Sequence, residues 1–167
     1  MTYDWPLYFC LFLALWSGVV AGVFSAFSEF IMSALLKAEP ASGMEAMQHI
    51  NRDVIKTQFV AGILSIAVFS ALFALYGLAV FEGAALVTLI LAPLIYLPSV
   101  FAMTMIGNVP MNNRLDSLDY TSAAAHAYWL EYGRKWTRLN HFRSLGSILT
   151  SGLYIIAAIT LITSGQV

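Results

Sequence analysis

The sequence predicts an all-α integral membrane protein, a single domain over residues 1–167 in which four transmembrane helices form a bundle and short interfacial helices fill the two larger loops. Three observations predict it. First, 60% of the residues are hydrophobic and only 10% charged, whereas a soluble domain carries roughly a quarter charged residues; mean hydropathy is +0.79. Second, four segments contain no Asp, Glu, Lys or Arg: Trp5 to Ser28, Thr57 to Phe81, Gly83 to Asn113 and Ser144 to Val167. Each exceeds the roughly 20 residues a helix needs to cross a hydrocarbon core about 30 Å thick. Third, all eight basic residues, Lys37, Arg52, Lys56, Arg114, Arg134, Lys135, Arg138 and Arg143, fall in the first or third loop.

The first helix is expected over about 5–36. A cleaved signal peptide fits poorly, because Asp4 stands where a basic region belongs and no A-x-A site follows Phe27. Along this helix Gly18, Gly22, Ser25 and Glu29 are spaced four, three and four, a small-residue stripe that is expected to meet a neighbouring helix and to turn Glu29 into the bundle. The neighbour is either a helix of the same chain or one of a second copy. The first loop opens with Pro40, Ser42 and Gly43, and then reads as an interfacial helix over about 44–55. Helices two and three, at about 57–81 and 83–108, share a connection short enough to pack them antiparallel. Pro93 and Pro98 should kink helix three, and the asparagines around Pro110 should end it. A second interfacial helix is expected over about 121–143 and the fourth span over about 144–164.

Charge placement sets the orientation. By the positive-inside rule both larger loops face the cytoplasm and both termini face outward, which suits a bacterial inner membrane. The single cysteine, Cys10, excludes a disulfide framework within the chain and reads as a small apolar packing residue.

Polar residues in so apolar a chain need a reason. Glu29 sits in an apolar run where a carboxylate requires a partner or a proton; it is a candidate acid or base, or else a structural partner for Arg143 or Arg114. Trp129, Trp136, Asn140 and Arg143 are separated by seven, four and three, so they share one helix face with Tyr132 beside it, while Arg134, Lys135 and Arg138 lie elsewhere. That is an amphipathic helix with an aromatic inner and a basic outer side, suited to anionic lipid headgroups. The tryptophans and basic residues need no more than lipid, but Asn140 and Arg143 on the aromatic face do. Together with Glu29 and Asn108 they are expected to close a polar pocket. His49, His126 and His141 show no paired metal-ligand spacing. A site built from Glu29 and His141 with one more ligand, such as His49, is the metal alternative to a cofactor-free pocket, and copper or iron would suit it.

The stretches "FSAFSEFIM", "AMQHIN", "GNVPMNNRL" and "W…W…NHFRS" together resemble the small integral-membrane family that includes the anthrone oxygenases, along nearly the whole chain from about Trp16 to Ile162. The resemblance implies a four-helix membrane fold and, for the characterised members, oxidation of an anthrone carbon to an anthraquinone carbonyl by molecular oxygen. Carried over residue by residue, it marks Asn51, Asn108, Asn112, Trp136, Asn140, His141 and Arg143.

Two functions compete. One is an oxygenase acting at the cytoplasmic side on a flat hydrophobic phenol-, quinone- or anthrone-like molecule from the bilayer: Glu29 or His141 takes a proton, Arg143 and Asn140 stabilise the enolate, and Trp129, Tyr132, Trp136, Asn51, Asn108 and Asn112 hold the substrate. The other is a non-catalytic subunit or assembly factor of a larger membrane complex. Nothing points to nucleic acid, and four helices without inverted repeats argue against a transporter.

Overall fold

The computed structural model describes residues 4–167, and these described residues fold as five helices. Four of them are long and apolar enough to cross a membrane: α1 (Trp5–Lys37), α3 (Gln58–Val80), α4 (Gly83–Asp116) and α5 (Ala123–Thr163). The short α2 (Pro40–Val54) links α1 to α3. Helix α5 packs along both α1 and α4, and α3 leans on α4 and α1, which closes a four-helix bundle.

Core and surface are divided as a bilayer requires. Large aliphatic side chains such as Leu15, Leu75, Leu94 and Ile106 point outward, because lipid tails solvate them as well as a protein interior does. At the end of the bundle that holds Trp5 and Thr163, Leu13, Phe73, Leu89 and Tyr154 pack together. The middle is built on Phe24, Ile66, Tyr96 and Val100. At the other end, which carries the basic residues, Met32, Met47, Leu115, Trp129, Tyr132 and Trp136 form a thick aromatic and methionine layer. The turn between α3 and α4 depends on Gly83, whose φ of +60° favours glycine. Gly62 is required by proximity: a Cβ there would overlap the Trp16 indole.

Three expectations about boundaries are corrected. The segment expected to lie in the interface over about 121–143 is the first half of α5, which runs unbroken for 41 residues. Its start is fixed by Ser122, whose hydroxyl accepts from the Ala125 N–H, after a turn in which the Thr121 backbone and hydroxyl hold the Asp119 carboxyl below the usual carboxylate range. The helix is unbroken through its three glycines; Gly133 and Gly146 sit where Leu36 and Ser99 come close. Helix α4 likewise does not end near Pro110 but continues to Asp116. It does so by changing register: Leu97–Asn108 is π-helical, and α-helix resumes at Val109 with Pro110 in its first turn, where a missing N–H costs little. Likewise α2 begins at Pro40 itself, without the expected preceding loop.

Helix α1 also contains a π-helical turn, Phe27–Ile31. Such turns are uncommon and recur at functional sites. Both π segments flank the same stretch of α5, through which the polar site is built.

Candidate functional site

The buried face of α1 runs through Ser17, Ala21 and Phe24, one residue before each member of the small-residue stripe. The stripe therefore borders the α5 contact: a Cβ on Gly18 would touch Ser151, whereas one on Gly22 would meet open space. Glu29 follows the stripe outward. It is exposed, forms no ion pair with Arg143 or Arg114, and does not enter the bundle, because Ser28 takes the inward position in the π turn. On α5, Ser147 and Ser151 face the bundle, with Ser151 donating to the Ala14 carbonyl at 2.8 Å, while a Cβ on Gly152 would meet nothing.

Trp129, Tyr132, Trp136, Asn140 and Arg143 are all buried, as their shared helix face predicts, and Arg134, Lys135 and Arg138 are exposed. Asn140 is the hub. Its Nδ2 donates to the Phe24 carbonyl at 2.6 Å and to Ser28 Oγ at 2.7 Å, and its Oδ1 accepts from Arg143 Nη2 at 2.6 Å. A second hub is Asn112, whose Oδ1 accepts from both the Tyr132 hydroxyl and Trp136 Nε1 at 2.8 Å. Asn108 donates to the Trp136 carbonyl at 3.2 Å, and Asn51 reaches the Tyr132 hydroxyl at 3.5 Å. The asparagines therefore tie the π segments and α2 to α5.

Arg143 is 5% exposed, yet no carboxylate meets it. The ion pairs among the described residues join Arg52 to Asp116 and Lys135 to Glu131. Besides Asn140, Arg143 has only a long contact from Nη1 to Thr104 Oγ1 at 3.4 Å, and its Nε has no partner. Its guanidinium lies 4.3 Å from the centre of the Phe24 ring and 5.2 Å from that of Trp136, favourable cation–π geometry that does not neutralise the charge. A buried cation without a counter-ion is costly, and in a membrane protein such a residue is a candidate functional group.

Arg143 opens onto a cleft of about 410 Å³ between α2, α3 and α4. Phe59, Ile63 and Phe101 make its apolar walls, and Leu64 and Met105, both exposed on the outer surface, line it as well. Polar groups gather at the basic end: Asn51, Arg52, Thr104, Asn112, Asn113 and Asp116. Its volume and its mixture of apolar walls with few polar groups are those of a small-molecule site.

Of the residues expected to form the site, Asn51, Asn112 and Arg143 line this cleft, and Asn140 holds Arg143 from behind. Trp129, Tyr132 and Trp136 do not line it. Their rings stack on one another, with centroids 5.6 and 6.1 Å apart, within the core, and Asn108 is buried beside them. His141 and His49 are exposed and, like Glu29, lie outside the cleft. Among the described residues no three His, Cys, Asp or Glu side chains converge, so the ligand set of Glu29, His141 and His49 is not assembled. Thr104 and the Arg52–Asp116 pair were missed. Thr104 lies one turn before Asn108 but looks like any apolar-helix threonine, and the ion pair joins positions 64 residues apart.

A family model described as anthrone oxygenase matches residues 52–153, more than half of the chain and all of the cleft except Asn51. The chain belongs to the anthrone oxygenase family. The matched region includes Asn112, Asn140 and Arg143. No curated protein and no solved structure matches.

Proposed function

We propose that the protein is a membrane oxygenase that oxidises a flat, hydrophobic carbon acid of the anthrone class inside the Arg143 cleft, at the end of the bundle that charge placement assigns to the cytoplasm. The single observation that carries this reading is the buried guanidinium without an ion-pair partner in a mostly apolar cleft. A neutral aromatic ketone partitions from the bilayer past Leu64 and Met105 and lies between Phe59 and Phe101. Its carbonyl oxygen faces Arg143. Loss of a proton from the activated carbon moves an electron pair onto that oxygen, and Arg143 stabilises the enolate as a preorganised donor stabilises an oxyanion. The carboxylate in reach of the cleft is Asp116, which takes the place expected of Glu29 or His141 as proton acceptor.

Molecular oxygen then accepts electrons from the enolate carbon. A carbon–oxygen bond forms, protonation gives a hydroperoxide, and loss of water leaves the new carbonyl. One oxygen molecule yields one quinone and one water. Hydrophobic walls favour both the aromatic substrate and dissolved oxygen, and they strengthen the interaction of Arg143 with the developing charge.

The test is oxygen uptake by the purified protein in detergent with anthrone, with quinone quantified in parallel. Equimolar oxygen consumption and anthraquinone formation above the protein-free rate is the expected result. A rate equal to the protein-free control would refute the proposal.

A further inference from the structure

On the side of α5 away from the cleft, a second groove of about 470 Å³ lies between α5 and the end of α1. Arg134, Thr137, Arg138 and His141 line it from α5 at positions i, i+3, i+4 and i+7, one continuous helix face. Ser28 and Lys37 line it from α1. No carboxylate borders it. Of the other basic residues at this end, Arg52 pairs with Asp116, Lys135 pairs with Glu131 and Arg114 lies over the Tyr128 ring, while Lys56 does not line the groove. Lys37, Arg134 and Arg138 have no such partner among the described residues, and all three converge here with a histidine and hydroxyl groups.

Three cations with hydroxyl donors and no carboxylate suit a phosphate group. Position decides its source. The groove lies where the charged part of α5 gives way to Ser144–Val167, which has no charged residue, and exposed Phe30, Phe142 and Leu145 extend an apolar surface beside it. A free phosphate would use the cations but not that surface. We propose that this groove binds the phosphate headgroup of an anionic phospholipid, with its acyl chains along Phe142 and Leu145. His141 then acts as a headgroup ligand, which accounts for its position outside the cleft. Because Ser28 also accepts from Asn140 at 2.7 Å, the headgroup site lies directly behind the residue that holds Arg143.

The full chain in detergent is titrated with dihexanoyl phosphatidylglycerol, dihexanoyl phosphatidylcholine and inorganic phosphate, with binding read by calorimetry. Phosphatidylglycerol should bind in preference to the other two. Replacing both exposed arginines, Arg134→Gln with Arg138→Gln, should weaken it by about thirtyfold, whereas Lys135→Gln, which removes a cation already paired with Glu131, should bind as the wild type does. Unchanged binding in the double variant, an equal loss in Lys135→Gln, or equal affinity for phosphatidylcholine would overturn the proposal. Inorganic phosphate binding as tightly as the lipid would overturn the lipid assignment.

Discussion

Replacing Arg143 with methionine separates a functional cation from a structural one. The side chain contributes one short charge-assisted bond to Asn140 and stacking on Phe24 and Trp136. Such a bond contributes about 1.5–3 kcal/mol, and a desolvated cation–π contact about 2 kcal/mol. Against these stands a desolvation penalty of several kcal/mol for a buried ion. No carboxylate is orphaned when Arg143 is removed, and methionine fills a similar volume. The terms nearly cancel, and Arg143→Met should change unfolding stability by less than about 1.5 kcal/mol. Removing one partner of a buried ion pair would instead cost about 3–5 kcal/mol. Turnover should fall by about 100-fold or more, the usual loss when an oxyanion donor is removed. Stability is read from denaturant-induced unfolding in detergent micelles, followed by tryptophan fluorescence, and turnover from oxygen uptake on the same preparation. A stability loss of about 3 kcal/mol or more, or turnover at the wild-type rate, would refute the assignment.

Four further outcomes follow from the same geometry. Asn140→Asp supplies an internal anion to Arg143 and should abolish binding of enolate-like phenolates, measured by fluorescence quenching; retained affinity would count against anion recognition. Asn112→Ala leaves the Tyr132 hydroxyl and the Trp136 N–H without their acceptor, so it should lower unfolding stability by about 2–4 kcal/mol. Glu29→Gln should turn over at the wild-type rate because Glu29 is exposed and outside the cleft; a dead variant would return Glu29 to the mechanism. Gly62→Ala should lower the stability by about 1–3 kcal/mol through collision with Trp16, whereas Gly22→Ala, with open space before it, should cost nothing.

How much could be read in advance depended on which interaction set each feature. The four spans follow from hydropathy, which is local, and the buried face of Trp129, Trp136, Asn140 and Arg143 follows from α-helical spacing, which holds throughout α5. Glu29 was misplaced because the small-residue stripe borders the helix contact and does not occupy it, and because the π turn at Phe27–Ile31 gives the inward position to Ser28. Small residues at a membrane helix surface do not by themselves distinguish the two directions. The second interfacial helix dissolved into α5 for a related reason: amphipathic character at Ala123–Arg143 arises from packing against α1 and α4, not from lying flat on a membrane. The cleft was the least legible feature, since Thr104, Asp116 and Phe59 come together only through tertiary packing.

The central claim is that the Arg143 cleft inserts an oxygen atom from molecular oxygen into an ionised carbon acid. The most direct measurement is the isotopic composition of anthraquinone formed from anthrone under ¹⁸O₂, comparing wild type with Arg143→Met. The wild type should yield quinone carrying one ¹⁸O atom, and the variant only the protein-free rate of product. Unlabelled quinone, or equal rates from both proteins, would contradict that claim.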